Sequence, residues 1–419
     1  MSETQSGDDA VRASTALERG ILRRVLRSRG SPPITIVLWD GTQIEPEGRP
    51  SVGRIRFASP QVLLDVALNP DPGIADAYVA GRLIIDGDLL AIVDSAFSVG
   101  MATPHHLRAL LWPIRNLAAL RSRARAKQDI HRHYDLGNDF YRLWLDERMQ
   151  YTCAFFPTPE ASLEHAQLAK LERVCRKLAL RPGERVIEAG CGWGGLALYM
   201  AERHGVQVRA FNISEEQIAY ARERARQRGL SRRVEFVLDD YRAASGQYDA
   251  FVSVGMLEHV GRARYGTLSR VIDRVLVPQG RGLVHSIGRA KPQHSNVWLE
   301  RNIFPGAYIP SLREMMAVFE PCRFAVLDVE NLRRHYAKTL EHWLARFEKA
   351  VPEIEARYGA EFIRMWRLYL VSSCAAFRNG STQLFQVVFS REGNDVLAWS
   401  RDDLDLPGCA EAGDAVAAA

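Results

Sequence analysis

Between residues 130 and 390, short apolar runs rich in β-branched and aromatic residues alternate with longer segments whose apolar positions recur at helical spacing. The runs at 206–210, 234–238, 248–254, 281–287, 324–330 and 383–390 read as strands, and 196–204, 266–276, 311–318, 336–349 and 354–377 as helices. Such alternation implies a parallel sheet with helices on both faces. A turn is expected at Pro278-Gln279-Gly280 and an insertion over 291–310, with the last strand returning as a hairpin beside its predecessor. Ahead of this, residues 1–125 read as a small mixed α+β domain. Its strands fall at 34–39 and 54–57, with a turn at Asp40-Gly41 and helices at 61–68, 74–80 and 89–97. The catalytic domain is then expected over 126–395, and 396–419 as a disordered tail.

The strand beginning near 185 runs straight into Gly190-Cys191-Gly192-Trp193-Gly194-Gly195, followed by a helix. Glycines there let backbone approach a ligand and turn from strand to helix. Gly190, Gly192 and Gly195 also satisfy a dinucleotide pattern, which calls for an acid at the end of the next strand, about 20 residues on. That strand instead runs into Phe211-Asn212-Ile213-Ser214. Acids do close the first strand (Glu188) and follow the third (Asp239-Asp240), and the fourth leads into Met256-Leu257-Glu258-His259. This is the layout of an S-adenosylmethionine site, which has no pyrophosphate to cradle. A dinucleotide enzyme and a purely structural turn are the alternatives.

Composition narrows the class further. Nearly half the residues are apolar and a quarter charged, the mix of a soluble globular protein, and 419 residues suggest two domains. No apolar run approaches the roughly 18 residues of a membrane span, and the first residues lack a signal-peptide pattern, so a cytoplasmic protein is expected. Six scattered cysteines without a C-x-x-C pair indicate free thiols. His131 and His133 lack a third ligand, so no metal is expected. The stretch 105–127 carries five arginines, a lysine and two histidines with no acid, interleaved with leucines and Trp112; residues 19–29 carry five more arginines. These stretches suit an anionic membrane surface or a partner helix, with a solvated linker helix as the plainer reading. No nucleic-acid module is visible.

Seven motifs in order carry a more specific signal. They are 133–141 (His-Tyr-Asp-Leu-Gly-Asn-Asp-Phe-Tyr), 151–156 (Tyr-Thr-Cys-Ala-Phe-Phe), 190–194, 257–261 (Leu-Glu-His-Val-Gly), 285–288 (His-Ser-Ile-Gly), 303–306 (Ile-Phe-Pro-Gly) and 331–340. Together they resemble the cyclopropane-fatty-acyl-phospholipid synthase family, which includes the mycolic acid cyclopropane synthases. The resemblance implies a class I S-adenosylmethionine methyltransferase fold, Rossmann-like, with a seven-stranded, mostly parallel sheet. The implied reaction carries a methyl group to a cis double bond of a phospholipid acyl chain and closes a cyclopropane. It also implies membrane phospholipids as partners, a homodimer, and peripheral attachment to the inner face of the cell membrane.

An alkene is a poor nucleophile, and the cation it forms must lose a proton before water arrives. By resemblance the base is a bound bicarbonate, held by Cys153, Glu258, His285, Ile287 through its backbone, and Tyr336. Histidine and tyrosine can donate to the anion while a carboxylate accepts its O–H. For S-adenosylmethionine the resemblance points to Tyr151, Thr152, Gly190, Gly192, Asn212, Ile213, Gln217, Asp240 and Tyr241. Gly194 belongs to the same loop, and Glu188 orders it or meets the cofactor's ammonium. Tyr241 can stack on adenine and Asp240 can accept from its amine. Phe304, Tyr308 and Tyr336 are the aromatics that could face the cation. The 306–310 stretch departs from the family's Gly-Gly pattern, which bears on substrate detail. Three alternatives stay open: a methylene-branched product from the same cation, a small-molecule methyltransferase, and a non-catalytic lipid-binding module.

Overall fold

The computed structural model describes residues 12–99 and 136–400, apart from 29, 69, 294, 295, 395 and 398, together with 404. The basic stretch 105–127, the His131/His133 pair, residues 133–135 of the first motif, the expected boundary near 125 and the tail beyond 404 lie outside the described residues. The chain forms two compact units. The smaller takes in residues 1–104, 296–298 and 352–379, the larger 105–295, 299–351 and 380–419. The late helical segment 352–379 thus folds with the N-terminal region, a contribution that the expected contiguous division does not include.

In the smaller unit, β1 (Thr35–Val37), β2 (Gln43–Ile44), β3 (Gly53–Phe57) and β4 (Leu83–Gly87) form a sheet in the order β2-β1-β3-β4. Ile34, Ile36, Leu38, Ile44 and Phe57 meet Leu22 of α1 (Ala16–Ser28), Val62 of α2 (Pro60–Leu68), Ala77 of α3 (Pro70–Val79) and Ile92 of α4 (Leu89–Ser98) in one core. Strand β4 was not expected. Its burial does not alternate cleanly, and Ile84 is exposed. Asp88 then caps α4 by accepting from the backbone of Leu90 and Ala91.

The larger unit is built on β5 (Arg185–Ala189), β6 (Gln207–Asn212), β7 (Val234–Leu238), β8 (Tyr248–Val254), β9 (Leu276–Gly288), β10 (Phe324–Asn331) and β11 (Gln383–Arg391). Their order is β10-β11-β9-β8-β5-β6-β7, and β11 is antiparallel to both its neighbours while the remaining pairs are parallel. Successive residues feed opposite cores: Val186, Val208 and Ala210 pack with α6 (Leu163–Lys177), α7 (Gly195–Arg203) and α8 (Glu215–Gln227). Ile187, Phe211 and Phe251 pack with α10 (Tyr265–Val275) on the other face. Both faces are therefore dry, which is why the strands read as near-continuous apolar runs. A short helix, α5 (Gly137–Arg142), precedes α6, and another, α9 (Leu257–Val260), follows β8.

Three expectations need correction. Pro278-Gln279-Gly280 lies inside β9, where Leu276 pairs with Tyr248 ahead of a register shift, so it is a strand irregularity and not a turn. The last two strands pair antiparallel but are not a hairpin: β11 inserts between β9 and β10 after a long helix, Arg333–Asn379. Two helices are present there as expected, but the kink between them is at Gly359 (φ 81°) and not in the 350–353 interval. Among the described residues no helix is long and apolar enough to cross a membrane.

The root of the large sheet is tied by Arg281, only 2% exposed, whose guanidinium donates to both carboxylate oxygens of Glu184 (2.9 and 2.7 Å) and to the carbonyls of Leu178 and Ala179. Removing one side of such a pair strands the other and several carbonyls. Arg281→Met is expected to lower the unfolding free energy by roughly 3 kcal/mol in a denaturant titration; a midpoint like that of the unmodified protein would contradict this account.

Candidate active site

The chain builds outward from β5 through β6 to β7, then crosses back to place β8 on the other side of β5. A crevice opens where the strand order reverses, outside the carboxyl ends of β5 and β8. Gly190 sits at the lip with φ +83°, and a Cβ there would come within 2.9 Å of the Met256 Cβ on the opposite loop. Its N–H donates to the Phe211 carbonyl. At the start of α7, Gly194 (φ +79°) has Phe236 and Ala221 within 2.7 and 2.9 Å of where a Cβ would be. Gly192, by contrast, borders open space. The first and third glycines serve packing, while the middle one leaves room.

The turn is pinned from β6. The Asn212 amide donates to the Gly192 carbonyl (3.2 Å) and to Gln217 Oε1 (2.7 Å), and its oxygen accepts from the Ile213 N–H (2.8 Å). Glu188 lies beneath, 2% exposed, with Oε2 lacking a hydrogen-bond partner among the described residues. Burial pushes its carboxyl up to about 8, against the pull of Lys170 and the Ala197 N–H. After β7, the Asp240 carboxylate is held by Arg242 through Nε (2.7 Å), a terminal nitrogen (2.5 Å) and the backbone N–H. Tyr241 is next to it, its phenol raised to about 12 by burial.

A second wall comes from residues 146–156. Asp146 accepts from the Arg148 and Gln150 N–H groups, which curls the loop. Lys170 of α6, 1% exposed, donates to Gln150 Oε1 (2.5 Å) and Thr152 Oγ1 (3.0 Å). Burial lowers this ammonium to about 8, the Asp146, Cys153 and Glu188 charges opposing. Thr152 reaches the crevice, its methyl 3.0 Å from where a Gly255 Cβ would be. Cys153 is fully buried, its Sγ donating to the Ala154 carbonyl, and burial raises its thiol pKa. Ala154 and Phe156 donate from their backbones to Thr339 Oγ1 and His335 Nδ1 at 3.0 Å each, which fastens the segment to the 333–351 helix. Tyr151 and Tyr336 pack on the same ring, Trp343, with centroids 5.3 and 5.9 Å away.

The aromatic chain continues from Tyr151 to Tyr141 (5.6 Å) and on to Trp193 of the glycine loop (5.0 Å), whose Nε1 donates to Asn138 (2.6 Å). The described part of the first motif thus braces the glycine turn against Tyr151. Sequence reasoning missed Lys170, Asn138 and Trp343; the signal for Lys170 was a basic residue on an otherwise buried helix face.

Glu258 follows β8, 6% exposed. One oxygen accepts from the Ile287 N–H at 2.6 Å, and Oε2 has no partner among the described residues. Burial raises this carboxyl to about 7. The Ile287 N–H therefore serves Glu258, a role that the expected ligand set did not give it. His285, 1% exposed, is driven down to about 3 by burial and then by Lys170 and Lys177, with Glu330 opposing, so it is neutral. Cys153 and Tyr336 meet through Leu332, whose carbonyl is 3.9 Å from the Cys153 Sγ and accepts from the Tyr336 N–H. Leu332 in turn donates to Leu384, the β11 partner of Ile287. Cys153, Tyr336, Ile287 and Glu258 are thus joined by short links, and His285 lies two residues before Ile287 on β9. Of the cation-facing aromatics, Tyr308 turns its hydroxyl to Glu314 (2.7 Å) and Phe304 packs edge-on to His259. Among the described residues no cluster of three potential metal ligands occurs.

Residues 121–387 match the family described as mycolic acid cyclopropane synthetase. The chain is 40% identical over 341 residues to the cyclopropane-fatty-acyl-phospholipid synthase of Escherichia coli K12, covering 80% of this chain and 87% of that protein. It is 32% identical over 400 residues to the tuberculostearic acid methyltransferase UfaA1 of Mycobacterium tuberculosis, covering 91% and 92%. The solved structure of mycolic acid cyclopropane synthase CmaA1 with SAH and CTAB superposes with a TM-score of 0.60 at 28% identity, over 63% of this chain and 97% of that one. Sheet order, switch-point crevice and sequence agree, and the chain belongs to the cyclopropane synthase family of S-adenosylmethionine-dependent methyltransferases.

Proposed function

We propose that the enzyme adds one carbon from S-adenosylmethionine to a cis double bond of an unsaturated phospholipid acyl chain and closes a cyclopropane ring, with bicarbonate as the bound base. The observation that carries this reading is Glu258: a buried carboxylate with one oxygen fixed by the Ile287 N–H and the other unpartnered, on the rim that also holds neutral His285. That oxygen can accept an O–H, while His285 and Tyr336 can donate to an anion's oxygens beside Cys153.

S-adenosylmethionine, when bound, supplies an electrophilic methyl group, and bicarbonate a base. The open side of Gly192 offers room for the cofactor, with Tyr151, Thr152, Gly190, Gly194, Asn212, Ile213 and Gln217 around it. The unpaired Glu188 oxygen suits its ammonium, and Tyr241 the adenine face. The Asp240 carboxylate, oriented by Arg242, would accept from the adenine amine. The alkene takes the methyl group as the S–CH3 bond breaks and S-adenosylhomocysteine leaves, which puts a cation on the acyl chain. Glu258, His285 and Tyr336 would hold the bicarbonate that takes the proton lost from the added carbon as the ring closes. Buried aromatic walls keep water from the cation.

The bilayer would be met by basic stretches. In α1, Leu17 and Ile21 are exposed beside Arg23 and Arg24, which suits an anionic surface. On this ground we propose peripheral attachment to the inner face of the membrane; the homodimer is proposed from the family resemblance alone. A second reading, favoured by the likeness to UfaA1, has the same cation lose a different proton and leave a methylene-branched chain, which becomes methyl-branched only where a separate hydride donor reduces it.

Incubation with S-adenosylmethionine and unsaturated phospholipid vesicles, followed by proton NMR of the released fatty acids, decides between them. Ring methylene signals are expected; vinylidene signals would select the second reading, and an unaltered lipid would defeat both. Gly192→Val is expected to weaken S-adenosylmethionine binding at least about tenfold by calorimetry, because its side chain enters the open space. Unchanged affinity would make the turn merely structural. Glu258 must be ionised to accept an O–H, and its raised pKa means that ionisation grows through about pH 7. At fixed bicarbonate concentration, kcat should accordingly fall as pH drops below about 7. Glu258→Gln should lose that limb and roughly 100-fold in kcat, with cofactor affinity intact; a wild-type profile in the variant would remove Glu258 from the site.

A further inference from the structure

Strands β9 and β11 place His285 directly opposite Gln386, and β10 places Glu330 opposite Gln386 in turn. Directly opposed residues share a face, so the three form a row across the sheet. His285 and Gln386 are 1% and 0% exposed. The Gln386 side-chain nitrogen lies 3.0 Å from His285 Nδ1. At the far end of the row, Glu330 receives two hydrogen bonds from Arg173 (3.0 and 2.6 Å) and a 2.7 Å ion pair from Lys177, both from α6. Glu330 is thereby kept ionised and engaged with α6, while Gln386 Oε1 has no hydrogen-bond partner among the described residues, so the contact to His285 is the polar contact that orients the amide.

We propose that Gln386 sets the tautomer of His285: its amide N–H donates to Nδ1, so the imidazole carries its single proton on Nε2 and presents that nitrogen as a donor. A neutral imidazole has one donor and one acceptor nitrogen, and the partner of one decides the role of the other. Burial, reinforced by Lys170 and Lys177 against Glu330, keeps the ring neutral, so this choice governs what His285 can do. The opposite amide orientation would put the proton on Nδ1 and turn a lone pair to any anion. Gln386 is then a positioning residue, which acts through His285. The tautomer assignment stands on the row alone, while its catalytic use rests on the bicarbonate reading above.

The test is a long-range proton–nitrogen NMR correlation on the full-length protein carrying 15N-histidine, with His285 assigned by the signal missing from His285→Gln. The expected pattern is a neutral ring protonated at Nε2. A ring protonated at Nδ1, or doubly protonated, overturns the proposal. Gln386→Glu offers an acceptor in place of the donor and should move the proton to Nδ1. It should also raise the bicarbonate KM at least tenfold while leaving S-adenosylmethionine affinity unchanged, a change that a merely packing residue would not produce. Gln386→Glu with the Nε2–H pattern retained counts against the proposal. An Nε2–H ring in an enzyme whose turnover ignores added bicarbonate upholds the tautomer and removes the anion reading instead.

Discussion

The divergence of β5 and β8 is the constraint on which the site depends. Both faces of the seven-stranded sheet are sealed by apolar helices, so an opening forms where neighbouring strands lead to opposite sides. Gly190 and Met256 face each other across that opening at a distance that admits no side chain on the glycine. The glycine turn, the Glu258 loop and the end of β9 project from this rim, and residues 146–156 close it from outside. Asn212, Lys170 and the aromatic chain from Trp193 to Trp343 then hold those walls to one another.

Desolvation is the common electrostatic theme. It raises Glu188 and Glu258 and lowers His285 and Lys170, in each case favouring the neutral form. Groups balanced this way respond to a charged ligand: a sulfonium or ammonium near Glu188 would favour its ionised form. Glu330 behaves oppositely: burial pushes it up, yet Arg173 and Lys177 hold it at about 2. A dry crevice with poised carboxyls and a fixed ion cluster suits a reaction whose intermediate must be kept from water.

Much of this was legible in the chain. The strand runs and the glycine turn announced the sheet because burial on both faces leaves continuous apolar segments. The ordering of acids after successive strands pointed to the cofactor before any coordinates. The misreadings have local causes. Pro278 and Gly280 look like a turn, but the β9 edge absorbs them at a register shift; Pro352 looks like a helix break, while Gly359 takes the non-helical backbone. Gln386 carried no signal in the sequence and Lys170 only that of a basic residue among buried positions, because the importance of both comes from non-local pairing, with His285 and Thr152 respectively. Likewise nothing in the sequence signals that the Ile287 N–H serves the Glu258 carboxylate, a contact between residues 29 positions apart.

The central claim is that the rim joining Glu258, His285 and Tyr336 is an anion site beside the cofactor. It is tested most directly by titrating 13C-labelled bicarbonate into the protein saturated with S-adenosylhomocysteine and following the bound carbon by NMR. The account predicts a saturable bound signal that disappears in Glu258→Gln although the variant still binds S-adenosylhomocysteine. Full methyl transfer to vesicles by a protein that shows no saturable bicarbonate signal would contradict it.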